Sequence, residues 1–157
     1  MLAKDVMATD IIAAKEDASV EEITSLMIKN RISGLPIVDN NDCLVGIVTE
    51  HDLLYKKKLP MSIRWIYNYG RYTAEELAVE RHKAQAKTAS ELMTTEVVTV
   101  DETTPLSRII HLVIEKEIKR IPVIRGRKLV GIISRADVLQ VLLAKSGKAV
   151  QKCWLKT

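Results

Sequence analysis

The chain has 157 residues, of which 47% are hydrophobic and 28% are charged, and its formal net charge is +4. These proportions are ordinary for a soluble globular protein, and no apolar run approaches the roughly 18 residues that a transmembrane helix needs. The first residues lack the apolar core of a secretory signal, so a cytoplasmic protein without a membrane span is expected. The cysteines and histidines are scattered without ligand spacing, which argues against a metal site.

Two halves of the chain repeat the same pattern at a nearly constant offset. Pro36 and Pro122 stand 86 positions apart. After a loop that is one residue shorter in the second half, the offset becomes 85, so that the heptapeptide GIVTEHD (46–52) is answered by GIISRAD (131–137). A register that holds over about 50 residues predicts two copies of one structural unit.

Each copy predicts the element order β-α-β-β-α, beginning with an extended segment at residues 10–14 or 96–100. The strands that follow are expected at residues 35–38, 44–48, 121–124 and 129–133. One such unit has too few elements to cover both faces of a three-stranded sheet, so the two units are expected to pack together.

The first helix of each copy has a start signal and an apolar face. Ser19 suits an N-cap with Glu22 completing a capping box, and Thr104 suits an N-cap with Pro105 in the first helical position. The apolar faces are Val20, Ile23, Leu26 and Met27 in one copy, and Leu106, Ile109, Ile110, Val113 and Ile114 in the other.

Both heptapeptides place a hydroxyl residue three positions before an aspartate, Thr49 before Asp52 and Ser134 before Asp137. Two interpretations stay open. In the structural one, the hydroxyl caps the following helix and the carboxylate interacts with the helix dipole. In the functional one, the helix N-terminus receives a phosphate, and the carboxylate accepts hydrogen bonds from the diol of a ribose.

The repeated pattern, a methionine, a proline inside a strand and L-V-G-h-h-[ST]-x-x-D, resembles the CBS domain, which occurs in tandem pairs called Bateman modules. The resemblance covers nearly the whole chain apart from the segment between the copies and the extreme C-terminus. It implies an α+β fold in which two β-α-β-β-α CBS repeats pack sheet to sheet with pseudo-twofold symmetry. The expected division is repeat 1 at residues 1–54, an insert at 55–91, repeat 2 at 92–146 and a tail at 147–157.

The same resemblance implies two clefts that bind adenine nucleotides (AMP, ADP or ATP) or a related adenosyl compound, with the aspartate on the ribose and apolar residues around the base. One cleft would use Ile132, Ser134 and Asp137 with Ile12, Ala13, Ile32 and Ser33. The other would use Ile47, Thr49 and Asp52 with Val98, Thr99, Ile118 and Lys119. The phosphate candidates are Lys119, Arg120, His51 and Arg135, and the alternative for each of them is a solvated surface group.

The insert departs from the minimal pattern of the family. Residues 55–72 hold five of the six aromatic residues and five basic residues without an acid. Such a segment can bind single-stranded nucleic acid, although packing onto the module or onto a second chain is favoured. A helix is expected from Thr73, with Glu76 completing a capping box, to about Lys87.

The favoured function is a regulatory module that senses an adenosine-containing molecule and acts on an unidentified protein effector. The alternatives are a structural or dimerisation module with empty clefts, and nucleic-acid binding through the insert. No catalytic arrangement of nucleophile and base is visible, so neither an enzyme nor a metal requirement is expected. A homodimer is expected because the last helix carries apolar residues beyond those that cover the repeat interface, namely Leu139, Leu142 and Leu143.

Overall fold

A computed structural model describes the backbone of residues 1–56 and 86–145 and the side chains of residues 1–54 and 86–144. The insert helix predicted from Thr73 lies outside the described residues. The strands are β1 (Ala14–Lys15), β2 (Gly34–Val38), β3 (Leu44–Thr49), β4 (Val100–Asp101), β5 (Arg120–Arg125) and β6 (Lys128–Ser134). The helices are α1 (Ala3–Val6), α2 (Val20–Asn30), α3 (Glu50–Lys56), α4 (Ala89–Leu92), α5 (Leu106–Glu115) and α6 (Arg135–Lys145).

The fold is α+β, and each copy of the repeat contributes one three-stranded sheet. The strand orders are β1-β2-β3 and β4-β5-β6. In each sheet the first pair of strands is parallel and the second pair is antiparallel. A parallel pair needs a crossover connection, and α2 and α5 provide it. The predicted order β-α-β-β-α is therefore confirmed in both copies.

The helix starts agree with the sequence signals in one copy and differ in the other. Ser19 caps α2, because its hydroxyl oxygen accepts a hydrogen bond from the backbone N–H of Glu22 at 3.1 Å. In α5 the N-cap is Pro105 rather than Thr104. The backbone N–H of Thr104 is instead bonded to the carbonyl oxygen of Asp101 at 2.9 Å, which keeps it in the turn before the helix.

The predicted apolar face of α5 is wrong at one position. Leu106, Ile109 and Val113 are buried, but Ile114 is 72% exposed. The buried residues follow the i, i+3, i+7 spacing of a single helix face, and Ile114 is turned about 100° away from Val113 around the helix axis. Ile114 therefore contributes to an outer surface instead of to the core.

Each sheet has its own hydrophobic core, and each core includes a short helix from the segment that precedes the other copy. Ala89 and Leu92 of α4 are fully buried in the core around β2 and α2. Ala3 of α1 is fully buried in the core around β5 and α5. These two helices were not predicted from the sequence. The spacing of 86 between Ala3 and Ala89 is the signal that could have revealed them.

Matching backbone hydrogen bonds between the copies show the pseudo-twofold symmetry. In the first pair, the N–H of Ala8 donates to the carbonyl oxygen of Ile132, and the N–H of Thr94 donates to that of Ile47, both at 2.9 Å. In the second pair, the N–H of Leu44 donates to the carbonyl oxygen of Arg127 at 3.0 Å, and the N–H of Leu129 donates to that of Asp42 at 3.1 Å. In each pair, the donor of one bond and the donor of the other are equivalent residues of the two copies, and so are the two acceptors. The symmetry expected from the repeat is thus present in the interface itself.

The glycine that begins each heptapeptide lets a methionine from the segment before the other copy approach closely. A Cβ atom on Gly46 would lie 2.7 Å from Cγ of Met93, and one on Gly131 would lie 2.8 Å from Cγ of Met7, with the sulfur atoms closer still. Carbon atoms in contact prefer about 3.5–4.0 Å. The methionine and the glycine recur together in the sequence because one occupies the space that the other leaves.

Candidate functional site

The hydroxyl and carboxylate of each heptapeptide bond to each other at the start of a helix. The backbone N–H and the hydroxyl of Thr49 donate to Oδ2 of Asp52 at 2.8 and 3.0 Å. The corresponding groups of Ser134 donate to Oδ2 of Asp137 at 2.7 and 2.6 Å, and Ser134 Oγ accepts from the N–H of Asp137 at 3.3 Å. The spacing of three is therefore explained by the local structure alone, because it satisfies backbone N–H groups that the helix leaves without partners.

The two aspartates differ in exposure. Asp52 is buried, with 4% of its surface exposed, whereas Asp137 is partly exposed. In both copies the pair uses the Oδ2 oxygen.

A cavity of about 460 Å³ lies between the repeats. That volume is within the usual range for sites that bind small molecules. Eight of the residues predicted from the sequence line it: Ser33, Ile47, Thr49, His51, Val98, Ile118, Lys119 and Arg120. Gly34, Glu50, Thr94, Glu96 and Val97 complete the lining. The cavity corresponds to the second of the two predicted clefts, and we call it the Thr49 cleft.

Three of the predicted residues do not lie in the cleft that was predicted for them. Ser33 was assigned to the other cleft and lines the Thr49 cleft. Asp52 is buried, accepts hydrogen bonds from Thr49 and is not among the lining residues. Thr99 lines a separate depression of about 190 Å³ beside Gly126.

The remaining predicted residues do not line the Thr49 cleft. Ile12 and Ile32 pack against the core of the first copy. The backbone of Ile132 is bonded to Ala8 in the repeat interface, while Ala13 is partly buried. Arg135 lines an outer groove between α5 and α6, and its Nε atom donates to the carbonyl oxygen of Ile118 at 2.9 Å.

The Arg120 side chain crosses from the second copy to the first. Its Nη1 atom donates to the hydroxyl oxygen of Ser33 at 2.7 Å, and a Cβ atom on Gly34 would lie 3.3 Å from that Nη1. Gly34 is the position equivalent to Arg120 in the first copy. The absence of a side chain at Gly34 therefore leaves room for the single long side chain of Arg120.

Burial lowers the pKa of the Arg120 guanidinium, and the carboxylates of Glu50 and Asp137 oppose that effect. The guanidinium stays protonated even so, because arginine is not deprotonated in proteins. Arg120 therefore brings a partly desolvated positive charge to the wall of the Thr49 cleft, where it can bind an anion strongly.

Lys119 and Glu50 form an ion pair at the rim of the same cleft. Lys119 Nζ lies 3.3 Å from Glu50 Oε1, and both side chains are more than half exposed. One of the cations predicted to bind phosphate is thus already paired. Glu50 and Glu96 also line the cleft but were not predicted from the sequence. Glu50 directly precedes His51 in the heptapeptide, and His51 was predicted.

A model of the CBS domain family matches residues 3–58 and 89–144. The chain belongs to the CBS domain family. No catalytic family is indicated by this match. In the part of the chain that the structure describes, no helix is long and apolar enough to cross a membrane. Within the same residues, no group of three or more His, Cys, Asp and Glu side chains could hold a metal ion.

Two of the curated relatives are longer than the region that this chain matches. The chain is 30% identical over 143 residues to the chloroplastic CBS domain-containing protein CBSX1 of Arabidopsis thaliana, covering 85% of this chain and 60% of that protein. It is 48% identical over 61 residues to an inosine-5'-monophosphate dehydrogenase of Methanocaldococcus jannaschii, covering 39% of this chain and 12% of the enzyme. The chain thus spans less than two thirds of the length of these relatives.

Solved structures of CBS domain pairs have the same fold. CBSX2 in complex with AMP aligns with a TM-score of 0.78 at 27% identity, covering 92% of this chain and 98% of that one. The CBS domain pair of protein MJ0100, in complex with 5'-methylthioadenosine and S-adenosyl-L-methionine, aligns with a TM-score of 0.67 at 27% identity, again covering 92% and 98%.

Proposed function

We propose that this protein is a regulatory, non-catalytic module that senses an adenosine-containing molecule in the Thr49 cleft. The ligand would be AMP, ADP, ATP or a related adenosyl compound. The observation that carries the proposal is a cavity of about 460 Å³ that combines apolar walls with the Lys119 and Arg120 side chains. The complexes of CBSX2 with AMP and of MJ0100 with two adenosyl compounds support it.

The lining suggests how each part of the ligand would be held. Ile47, Val98 and Ile118 offer an apolar surface for the adenine base. The ribose would lie against Thr49, whose hydroxyl is bonded to the Asp52 carboxylate. A phosphate would meet Arg120, whose guanidinium can form two parallel hydrogen bonds to phosphate oxygens.

The cleft with Ser134 and Asp137 is proposed as a second, weaker site. Its apolar candidates are Ile12, Ala13, Ile32 and Ile132. The equivalents of Lys119 and Arg120 in the first copy are Ser33 and Gly34, which carry no charge. A nucleotide in this cleft would therefore lack the phosphate contacts that the Thr49 cleft provides.

The pseudo-symmetry supplies a matched pair of variants to test the site. Val98 and Ile12 are equivalent and are both partly buried, so Val98→Trp would fill the Thr49 cleft and Ile12→Trp would fill the other. Calorimetric titration with adenosine, AMP, ADP, ATP and S-adenosylmethionine should show a tighter binding event that Val98→Trp abolishes and Ile12→Trp retains, so that only the weaker site is left in Val98→Trp.

Two results would contradict the proposal. Wild-type protein that binds none of these compounds at millimolar concentration would favour the structural module with empty clefts. Binding that is lost in Ile12→Trp and kept in Val98→Trp would place the ligand in the other cleft. Circular dichroism of both variants controls for unfolding.

We also propose that the protein is cytoplasmic and forms a homodimer. Both copies expose equivalent apolar side chains on their outer helices: Ile28 and Leu54 are 73% and 59% exposed, and their counterparts Ile114 and Leu139 are 72% and 59% exposed. Burying apolar surface of this kind favours association. Nucleic-acid binding through the insert stays a prediction, because those residues lie outside the described part of the chain.

A further inference from the structure

The two acidic residues in the Thr49 cleft do not suit a ligand that carries several negative charges. Glu50 and Glu96 line the cavity together with Lys119 and Arg120. The formal charges of these four side chains cancel. A cleft made to bind a polyphosphate would be expected to carry a positive excess, because like charges near the ligand oppose its binding.

Glu50 is the acid that acts on both cations. Its Oε1 atom lies 3.3 Å from Nζ of Lys119, and its carboxylate is one of the two that interact electrostatically with the Arg120 guanidinium. The backbone N–H of Glu50 is bonded to the carbonyl oxygen of Ser33 at 3.0 Å, and Ser33 is the hydroxyl partner of Arg120. These contacts hold the carboxylate beside Lys119 and close to the residue that Arg120 contacts, and Lys119 and Arg120 are the two cations proposed to bind phosphate.

We propose that Glu50 is a specificity determinant that makes the cleft select ligands of low negative charge. Its carboxylate occupies Lys119 and repels additional anionic groups. A nucleoside or a monophosphate can bind by using Arg120 alone, whereas a triphosphate must displace Glu50 from Lys119. The biological meaning of this selectivity rests on the proposed function, but the charge effect itself can be measured without any nucleoside.

The ion pair is a suitable target for substitution because it contributes little to folding. Both partners are more than half exposed, and exposed ion pairs add little to stability. Glu50→Gln should therefore fold normally. Glu102→Gln is the matched control, since Glu102 accepts a hydrogen bond from Arg125 at 2.8 Å and is not among the residues that line the cleft. Both substitutions change the net charge equally.

The experiment is a calorimetric titration of the wild type and the two variants with inorganic tripolyphosphate and, separately, with adenosine. One unit charge about 4 Å away in a solvated site changes affinity roughly fivefold, so Glu50→Gln should bind tripolyphosphate at least about fivefold more tightly. The gain should shrink at high salt. Glu50→Gln should change adenosine affinity less than tripolyphosphate affinity, because adenosine carries no charge for the carboxylate to repel, and Glu102→Gln should bind both probes as the wild type does.

Equal affinity of wild type and Glu50→Gln for tripolyphosphate, including no binding by either, would overturn the assignment of Glu50. So would an equal gain in Glu102→Gln, since that would reflect net charge alone. If adenosine binds to none of the proteins while Glu50→Gln gains affinity for tripolyphosphate, the proposed adenosyl function fails and the role of Glu50 stands.

Discussion

Replacing Gly131 by alanine would put a methyl group where Met7 already lies. The new Cβ would be 2.8 Å from Cγ and 3.0 Å from Cβ of Met7, so a packed segment has to move. Overpacking of this kind costs about 1–3 kcal/mol. The loss of glycine flexibility in the unfolded chain offsets about 0.4–1 kcal/mol. We therefore expect Gly131→Ala to lower the free energy of unfolding by about 1–2 kcal/mol.

The assay is urea denaturation followed by circular dichroism. With a slope of about 1–3 kcal/mol per molar urea, the midpoint should fall by roughly 0.3–2 M. Met7→Ala provides the second arm of a double-mutant cycle, since it removes the side chain that the new methyl group would meet. In the Met7→Ala background, Gly131→Ala should cost clearly less, with a coupling of about 0.5–2 kcal/mol. Wild-type stability in Gly131→Ala, or the same loss in both backgrounds, would refute this explanation of the repeated glycine.

Three further predictions concern stability and assembly. Ser19→Ala removes the N-cap of α2 and should lower the free energy of unfolding by about 0.5–2 kcal/mol, measured by thermal or urea denaturation. An unchanged free energy of unfolding would show that the hydrogen bond to Glu22 does not stabilise the fold. Hydrogen bonds from Thr103 lower the pKa of Asp101. This carboxylate therefore stabilises the fold above its unfolded pKa and loses that effect as pH falls through the lower folded pKa. Asp101→Asn should make the free energy of unfolding less dependent on pH on the acid side, and an unchanged dependence would contradict this. Light scattering should give twice the chain mass of 17.6 kDa, and Leu139→Lys should shift it towards the monomer; a monomeric wild type at all concentrations would exclude the dimer.

Much of the fold could be predicted from the sequence because the repeat supplies every signal twice. The helix Val20–Asn30 was predicted with the bounds that the structure shows, since a cap and a regular apolar face agree there. The helices at Ala3–Val6 and Ala89–Leu92 were missed because four residues are too few to show helical periodicity. Their exchange between the copies depends on tertiary packing, which local patterns do not encode.

The site was predictable in composition but not in arrangement. The sequence indicated the residue types of the Thr49 cleft, yet the burial of Asp52 depends on how α3 packs against β3. The reach of Arg120 to Ser33 depends on the absence of a side chain at Gly34 across the pseudo-twofold axis. Likewise, the pairing of Glu50 with Lys119 joins residues 69 positions apart, a contact that no local motif could indicate.

The central claim is that the Thr49 cleft binds an adenosine-containing ligand with its phosphate on Arg120. The most direct measurement compares the affinities of AMP and adenosine for the wild type, for Arg120→Ala and for the control Arg125→Ala, whose arginine pairs with Glu102 instead of lining the cleft. Charge-assisted hydrogen bonds contribute about 1.5–3 kcal/mol, so Arg120→Ala should weaken AMP by roughly 10- to 100-fold and leave adenosine unchanged. A preference for AMP over adenosine that persists in Arg120→Ala, at the level of the wild type and Arg125→Ala, would contradict the account.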